Sequence, residues 1–285
     1  MNGILIINKD LGYTSRDVVN IISKTFQTKK VGHTGTLDPE ASGVLVVCIG
    51  KALKVCEMLT NHDKEYIAGI TLGIETDTLD MTGKVVSTED VFLEDKDIYE
   101  AVNSFKGSYF QEVPKYSAVK VNGKKLYEYA RKNIDIELPK KEVVIHDIKI
   151  IDDILHKDGK IYFRIKCHVS KGTYIRSLVR DIGNKLGVKA AMNSLVRTRL
   201  GEFTLDNANT IDEIKNGKYN LIKIEDAFPD IKRMMVSDDE EFKIKNGCPI
   251  NRFVDTNKKF IFDKDNNLIA LYRNDDDKAR VYKMF

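Results

Sequence analysis

The 285-residue chain is 42% hydrophobic and 31% charged, a composition that builds a globular core, gives room for one large domain and a small one, and excludes intrinsic disorder. Its longest uninterrupted apolar run, Val44–Ile49, is six residues, whereas a membrane-spanning helix needs about 20. The net charge of +3 is unevenly spread: Lys106–Arg199 holds 21 Lys and Arg against 10 Asp and Glu, a net +11, while the remainder carries 25 against 33, a net −8. A basic middle between acidic flanks predicts a surface for a polyanion, the footprint of a nucleic-acid-binding protein.

In chain order, Gly3–Ile7 reads as a short buried strand that meets Asn8-Lys9-Asp10 too soon for a signal peptide. Thr14-Ser15-Arg16-Asp17 opens a helix to about Phe26, with Ser15 as cap and Val18, Val19, Ile21 and Ile22 as its apolar stripe. Residues 31–43, rich in Gly, Thr and Ser, read as a loop before a second buried strand, Val44–Ile49. Ala52–Leu59 is predicted helical, and Lys64–Leu72 alternates as a strand with one covered face. Glu75–Asp80 lacks the alternating ligands of a calcium loop and reads as a solvated turn. Helices are expected at Ile98–Phe105 and Lys124–Lys132. Glu142–Ile151 and Lys160–Val169 pair antiparallel around an Asp152–Gly159 turn, and Tyr174–Leu186 is an amphipathic helix. After Phe228-Pro229-Asp230 the helical signals stop. Short segments rich in Phe, Val, Ile and Tyr alternate with Asn/Asp turns, such as Asp263–Asn267. This predicts a large domain over residues 1–230, able to fold alone, and a small all-β domain over 235–285. Cys48, Cys56, Cys167 and Cys248 form no Cys-x-x-Cys pair and read as reduced thiols of a cytoplasmic protein. The five histidines show no metal-ligand spacing, and no metal site is expected.

Three segments carry possible chemistry. Gly32–Gly43 has three glycines for close backbone approach, and Pro39 biases Asp38 toward an extended backbone that fixes its carboxylate. Such an acid serves as a nucleophile, a base or a turn cap. Ser170–Arg176 joins a strand to a helix; an Arg in that first turn opposes the helix dipole, which points to a carboxylate partner or to solvent. Asp63-Lys64-Glu65-Tyr66 puts Tyr66 on the covered strand face, as a core tyrosine or a platform for a base. No phosphate-cradling Gly-rich loop with its Lys is present.

Together these motifs resemble the TruB family of bacterial tRNA pseudouridine-55 synthases. Gly32-His33-Thr34-Gly35-Thr36-Leu37-Asp38-Pro39 with Ala41, Gly43, Leu45 and Gly50 is similar to the family's nucleophile motif. Lys64-Glu65-Tyr66 is similar to its tyrosine motif. Pro114, Ser117-Ala118, Lys120, Gly123, Tyr127 and Ala130-Arg131 match its middle signature, and Ser170–Arg176 its arginine motif. Asp10 departs from the Pro usual after Lys9, a difference that bears on loop rigidity.

The resemblance implies an α+β fold: a mixed, largely antiparallel central sheet flanked by helices, with a PUA-like β domain at the C-terminus. It implies conversion of a T-loop uridine of tRNA to pseudouridine by a monomer, without metal or cofactor. The uridine is flipped out at a cost of a few kcal/mol. Asp38 is the implied catalytic carboxylate, Arg176 its ionic partner and Tyr66 the stacking residue. His33 fills the vacated space, and Tyr174, Leu195, Arg197, Lys171 and Lys120 contact substrate. The C-terminal domain, through Lys243, Lys245, Arg252, Lys258 and Lys259, adds binding reach. Two other readings keep the basic middle: a pseudouridine synthase acting on another RNA, and an RNA-folding protein on the same scaffold.

Overall fold

The computed structural model describes residues 1–285. Its main sheet contains β1 (Gly3–Lys9), β2 (Val31–His33), β3 (Ala41–Ile49), β4 (Lys64–Leu72), β5 (Gly107–Glu112), β6 (Lys140–Ile150), β7 (Lys160–Val169) and β8 (Ala190–Leu200). The path runs β1-β3-β8-β4-β7-β6-β5, with β2 paired on β3. Only β3 and β8 are parallel; the other neighbours on this path are antiparallel. The helices used below are α1 (Ser15–Thr25), α2 (Cys56–Thr60), α3 (Asp95–Asn103), α4 (Leu126–Ala130) and α5 (Ile175–Leu186).

The continuous apolar runs of β1 and β3 follow from burial on both faces. Leu5, Ile7, Leu45 and Val47 face a core shared with Val18 and Ile22 of α1 and Leu178, Val179 and Ile182 of α5. The alternate residues Ile4, Ile6, Val44 and Val46 face a second core with Leu200 and Phe203. α5 ends where Gly187 adopts φ +73°, a left-handed stop that a residue with a Cβ enters only with strain.

The cap of α1 is Thr14, not Ser15. The Thr14 hydroxyl accepts from the Asp17 amide at 3.0 Å, and the Asp17 carboxylate accepts from the Thr14 amide at 2.9 Å. Ser15, one residue on, is turned inward. Residues 31–43 are not all loop, because Val31–His33 pairs with β3 and β3 begins at Ala41. The Ala52–Leu59 helix is a 3₁₀ turn over Gly50–Val55 followed by α2. The Lys124–Lys132 helix shortens to α4, because Lys124 and Lys125 pair with Lys120 and Val121 in a hairpin. That hairpin turns through Asn122 and Gly123 at positive φ.

The C-terminal sheet contains β9 (Lys232–Met235), β10 (Ile250–Asn251), β11 (Lys258–Phe262), β12 (Leu268–Asp275) and β13 (Lys278–Met284), in the order β9-β11-β12-β13-β10. It is not all-β. Ser237 caps a helix, α6 (Asp238–Lys245), with acids in its first turn and lysines in its last. Its only buried residue is Ile244, so no apolar stripe announces it.

Where this sheet packs bears on the expected self-sufficiency of a chain ending near Asp230. Phe260, Phe262 and Leu271 are fully buried in the same cluster as Ile4, Ile6, Val44 and Val46. Truncation removes three of the sixteen buried residues of this cluster and uncovers part of the second face of β1 and β3. Phe260→Ala is expected to cost about 3–5 kcal/mol, the scale for emptying a fully buried aromatic site. Denaturant unfolding followed by circular dichroism should show this as a shift of the whole-chain transition. A separate early C-terminal transition would mean that the two sheets are energetically independent.

Candidate active site

The loop from Thr34 to Glu40, between β2 and β3, is fixed from below. Ser15 Oγ accepts from the Leu37 amide at 2.9 Å and donates to its carbonyl at 3.2 Å. Buried Lys9 donates to the carbonyls of Asp10, Tyr13 and Pro39 at 3.0, 2.7 and 3.3 Å. Lys9 thus ties the 10–13 turn to the loop without a proline at position 10. Asp38, held in this loop, has a side chain 45% exposed to the cleft.

Arg176, in the first turn of α5, reaches Asp38 with Nη2 at 3.2 Å from Oδ2. Its Nη1 lies 3.5 Å from Asp80 Oδ2. The same fork donates to the carbonyls of Thr78 at 3.0 Å and Tyr116 at 3.1 Å. Four acceptors around a guanidinium only 11% exposed explain an arginine placed against its helix dipole.

Asp80 corrects the reading of Glu75–Asp80 as a solvated turn. The turn docks on β8: the Met81 amide donates to Met192 O at 2.9 Å, and the Met192 amide to Leu79 O at 3.0 Å. Asp80 Oδ1 accepts from the Thr78 hydroxyl and the Thr82 amide at 2.8 and 3.1 Å. Its side chain is 14% exposed. The burial arises from a long-range contact that local composition does not encode.

Asp38, Tyr66, Lys171, Tyr174, Arg176 and Leu195 line one cleft of about 730 Å³, a size suited to a small-molecule or nucleotide ligand. Tyr66 is buried in β4, opposite Cys167 of β7 and Arg197 of β8. Leu195 is buried on β8 beside Ala41 and Ala68. The Tyr174 amide donates to Gln111 Oε1 at 2.7 Å. Gln111 Nε2 donates to Tyr109 OH at 2.6 Å, and that hydroxyl to Asp181 Oδ2 at 3.3 Å. Burial pushes the Tyr174 phenol above its ordinary pKa. This relay anchors the start of α5, and sequence reading missed it.

Arg197 also borders this cleft, from a buried position on β8. It is 1% exposed and donates to Val44 O at 2.7 Å and Gly35 O at 3.2 Å, clamping both ends of the Asp38 loop. Gly43 explains how β8 comes so close. At φ +103°, a Cβ on it would stand 2.2 Å from Arg197 O. Gly43→Ala should part the parallel β3–β8 pair and cost at least about 1–3 kcal/mol, read as a fall in Tm together with lost turnover.

His33 lies beside the cleft, half-buried on β2, with Nδ1 accepting from the Gly35 amide at 3.3 Å. Burial, and the positive charge of Arg197, push its imidazole below its ordinary pKa. Lys171 Nζ donates to Asn61 Oδ1 at 3.0 Å at the cleft edge. Lys120 is exposed in the hairpin before α4, outside the cleft lining.

The histidines are not all scattered. Asp63, His146 and His168, from three neighbouring strands or their ends, bring their ligand atoms within 4.8 Å of one another, with His146 Nε2 at 3.0 Å from Asp63 Oδ2. This cross-strand grouping has no linear spacing to read.

Sequence and structure comparisons relate the chain to known proteins. The model of the TruB family pseudouridylate synthase N-terminal domain matches residues 23–175, and that of the tRNA pseudouridylate synthase B C-terminal domain matches residues 176–233. The tRNA pseudouridine synthase B of Bacillus pumilus is 40% identical over 99% of this chain and 96% of its own length. That of Bacillus subtilis is 45% identical over 87% of this chain and 83% of its own. Among solved structures, a chain of an H/ACA ribonucleoprotein bound to a substrate RNA containing 2′-deoxyuridine covers 99% of this chain and 84% of its own length. It aligns with a TM-score of 0.68 at 24% identity, a likeness of fold. With the family models and these relatives spanning the residues that build the cleft, the chain belongs to the TruB family of pseudouridylate synthases.

Proposed function

We propose that the protein isomerises uridine 55 in the T-loop of tRNA to pseudouridine, acting as a cytoplasmic monomer. The observation that carries the reading is the Asp38–Arg176 pair at 3.2 Å across a cleft that Tyr66 also lines. The net change breaks C1′–N1, forms C1′–C5, and moves a hydrogen from C5 to N1, so no redox partner is consumed. Two routes are open to Asp38: addition of its carboxylate to carbon, or removal of a sugar proton to give a glycal. Both require an ionised carboxylate fixed beside the ribose, and the Arg176 fork supplies that fixation. Tyr66 offers its ring to the base that rotates, and Leu195 closes the apolar wall behind it. His33, beside the Asp38 loop, occupies the space left by the flipped nucleotide. Tyr174 and Lys171 contact the RNA at the cleft, Lys120 contacts it from the neighbouring hairpin, and Arg197 acts by holding the loop.

In this reading residues 1–230 form the catalytic domain and 235–285 a PUA-like RNA-binding domain. Support comes from cations without acid partners. Lys245 and Lys259 are paired with Glu241 and Asp255. Lys258, Arg273 and Lys283 instead surround the Tyr282 ring at 5.2, 4.9 and 5.0 Å. A positive aromatic patch of this kind suits a phosphate backbone.

The test is modification mapping on an unmodified tRNA transcript, using carbodiimide labelling and primer extension. Pseudouridine should appear at position 55 alone, and a transcript with cytidine there should gain none. Modification at another position, or in another RNA only, would reassign the substrate.

A further inference from the structure

Beyond Asp38 and Tyr66 the cleft ends in a wall of lysines. Lys64, Lys141 and Lys171 all line it. Lys64 precedes Tyr66 by two residues on β4, so both side chains leave the same face of the strand, about 7 Å apart along it. That is the scale separating a nucleotide's base from its own phosphate. Lys64 is 8% exposed, and its Nζ donates to Thr60 O at 2.7 Å and His62 O at 2.6 Å, both neutral acceptors. The surrounding acids are engaged elsewhere: Asp63 with His146, Glu65 with Lys166, and Asp38 and Asp80 with Arg176. Lys141 Nζ leans over the 170–174 loop, 2.0 Å from where a Cβ on Gly172 would stand, and lines the cleft from there.

Burial, reinforced by the nearby charges of Arg197, Lys171 and Lys141, pushes the Lys64 ammonium down to about 8, with Asp63 acting in the opposite direction. A buried cation group with no carboxylate among its partners is costly unless an anion from outside completes it. A lysine point charge suits a phosphodiester oxygen.

We propose that Lys64, with Lys141 and Lys171, forms a phosphate subsite that receives the backbone phosphodiester adjoining the flipped uridine. The subsite rests on the reading that the cleft takes a uridine of RNA. It adds that the enzyme grips the nucleotide at two points, ring on Tyr66 and phosphate on Lys64, so that the sugar is suspended beside Asp38.

The test is a double-mutant cycle between protein and RNA. T-arm stem-loops carry one neutral methylphosphonate linkage, either 5′ or 3′ of the target uridine, and Kd and single-turnover rate are measured for each. The native enzyme should lose about 10-fold or more in Kd on neutralising one of the two linkages and much less on the other. Lys64→Met should bind the ordinary RNA equally weakly and lose no more when that linkage is neutral. Exposed Lys141→Met and Lys171→Met, which do not disturb the core, should each show a smaller loss that also vanishes with the neutral linkage. Native binding should weaken above about pH 8, as the Lys64 ammonium loses its proton, and Lys64→Met should lack this step. The charged or titratable groups facing Lys64 are His62, Asp63, Lys141, Lys171 and Arg197.

Additive losses for all three variants at both linkages would make the lysines structural and overturn the proposal. So would native binding indifferent to either neutral linkage. Turnover of the unmodified stem-loop by the native enzyme is scored separately. Its absence would count against the uridine-isomerising reading and not against the subsite.

Discussion

Asp38→Asn should bind tRNA with nearly native affinity and turn it over slower by on the order of 10⁴-fold or more, the scale for removing a group that acts on the reacting atoms. The substitution is nearly isosteric. The loop that presents residue 38 is held by Ser15 on Leu37, Lys9 on Pro39, and the Ala41 amide on the residue 38 carbonyl at 3.0 Å. None of these bonds uses the carboxylate. The amide oxygen can still accept from Arg176, so the geometry survives and only the charge and one acceptor are lost. Gel-shift binding and a single-turnover assay on the same preparation separate the two effects. Turnover above a few per cent of native would move the chemistry to another carboxylate. Asp80 is the alternative that the structure offers, since it shares the Arg176 guanidinium. Loss of binding in parallel with turnover would instead give Asp38 a role in holding RNA.

What the sequence made legible follows from how local each signal is. β1 and β3 are readable because their apolar runs need only two covered faces, and the structure covers both. The Asp38 loop is readable because Gly frees and Pro restricts the backbone at their own positions. β8 was not foreseen. Its alternation is broken by register shifts between Met192 and Ser194 and between Arg197 and Arg199, and Asn193, Ser194, Arg197 and Arg199 give it the look of a surface segment. Yet it lies between β3 and β4 and carries Leu195 and Arg197. A bulge keeps a strand in a sheet while erasing the two-residue period that pattern reading depends on. Asp80 and Gln111 escaped for a related reason: their burial comes from partners on β8 and α5, far away in the chain. The change of composition near residue 230 is real. It could not say that Phe260 and Phe262 would complete the core beneath Ile4 and Val44, since composition carries no information about which face a later sheet covers.

Arg176→Lys is expected to lower turnover by about 10²-fold or more, although the positive charge is kept. The native guanidinium does four things at once from a planar fork: it holds Asp38 at 3.2 Å and Asp80 at 3.5 Å, and donates to Thr78 O and Tyr116 O. A lysine ammonium has three donors on one atom and cannot stand between Asp38 and Asp80 while reaching both carbonyls. Asp80, mostly buried, is the stronger draw, because an unpaired charge there costs more than one at the half-exposed Asp38. The ammonium should therefore settle toward Asp80 and release Asp38 to move in the cleft. A displacement on the order of 1 Å at the reacting carboxylate is enough for the loss expected here. The rate constant at saturating tRNA should carry the defect, with Kd nearly native, since Arg176 faces its carboxylates and two carbonyls rather than the cleft's lysine wall. Asp80→Asn separates the two halves of the pair. It removes the competing acid, so Arg176→Lys combined with Asp80→Asn should recover part of the turnover by sending the ammonium back to Asp38. Recovery in the double variant is a result that general destabilisation does not produce. Equal or deeper loss would show that the planar fork acts through the Thr78 and Tyr116 carbonyls, as a scaffold for the loop walls, and not by aiming Asp38.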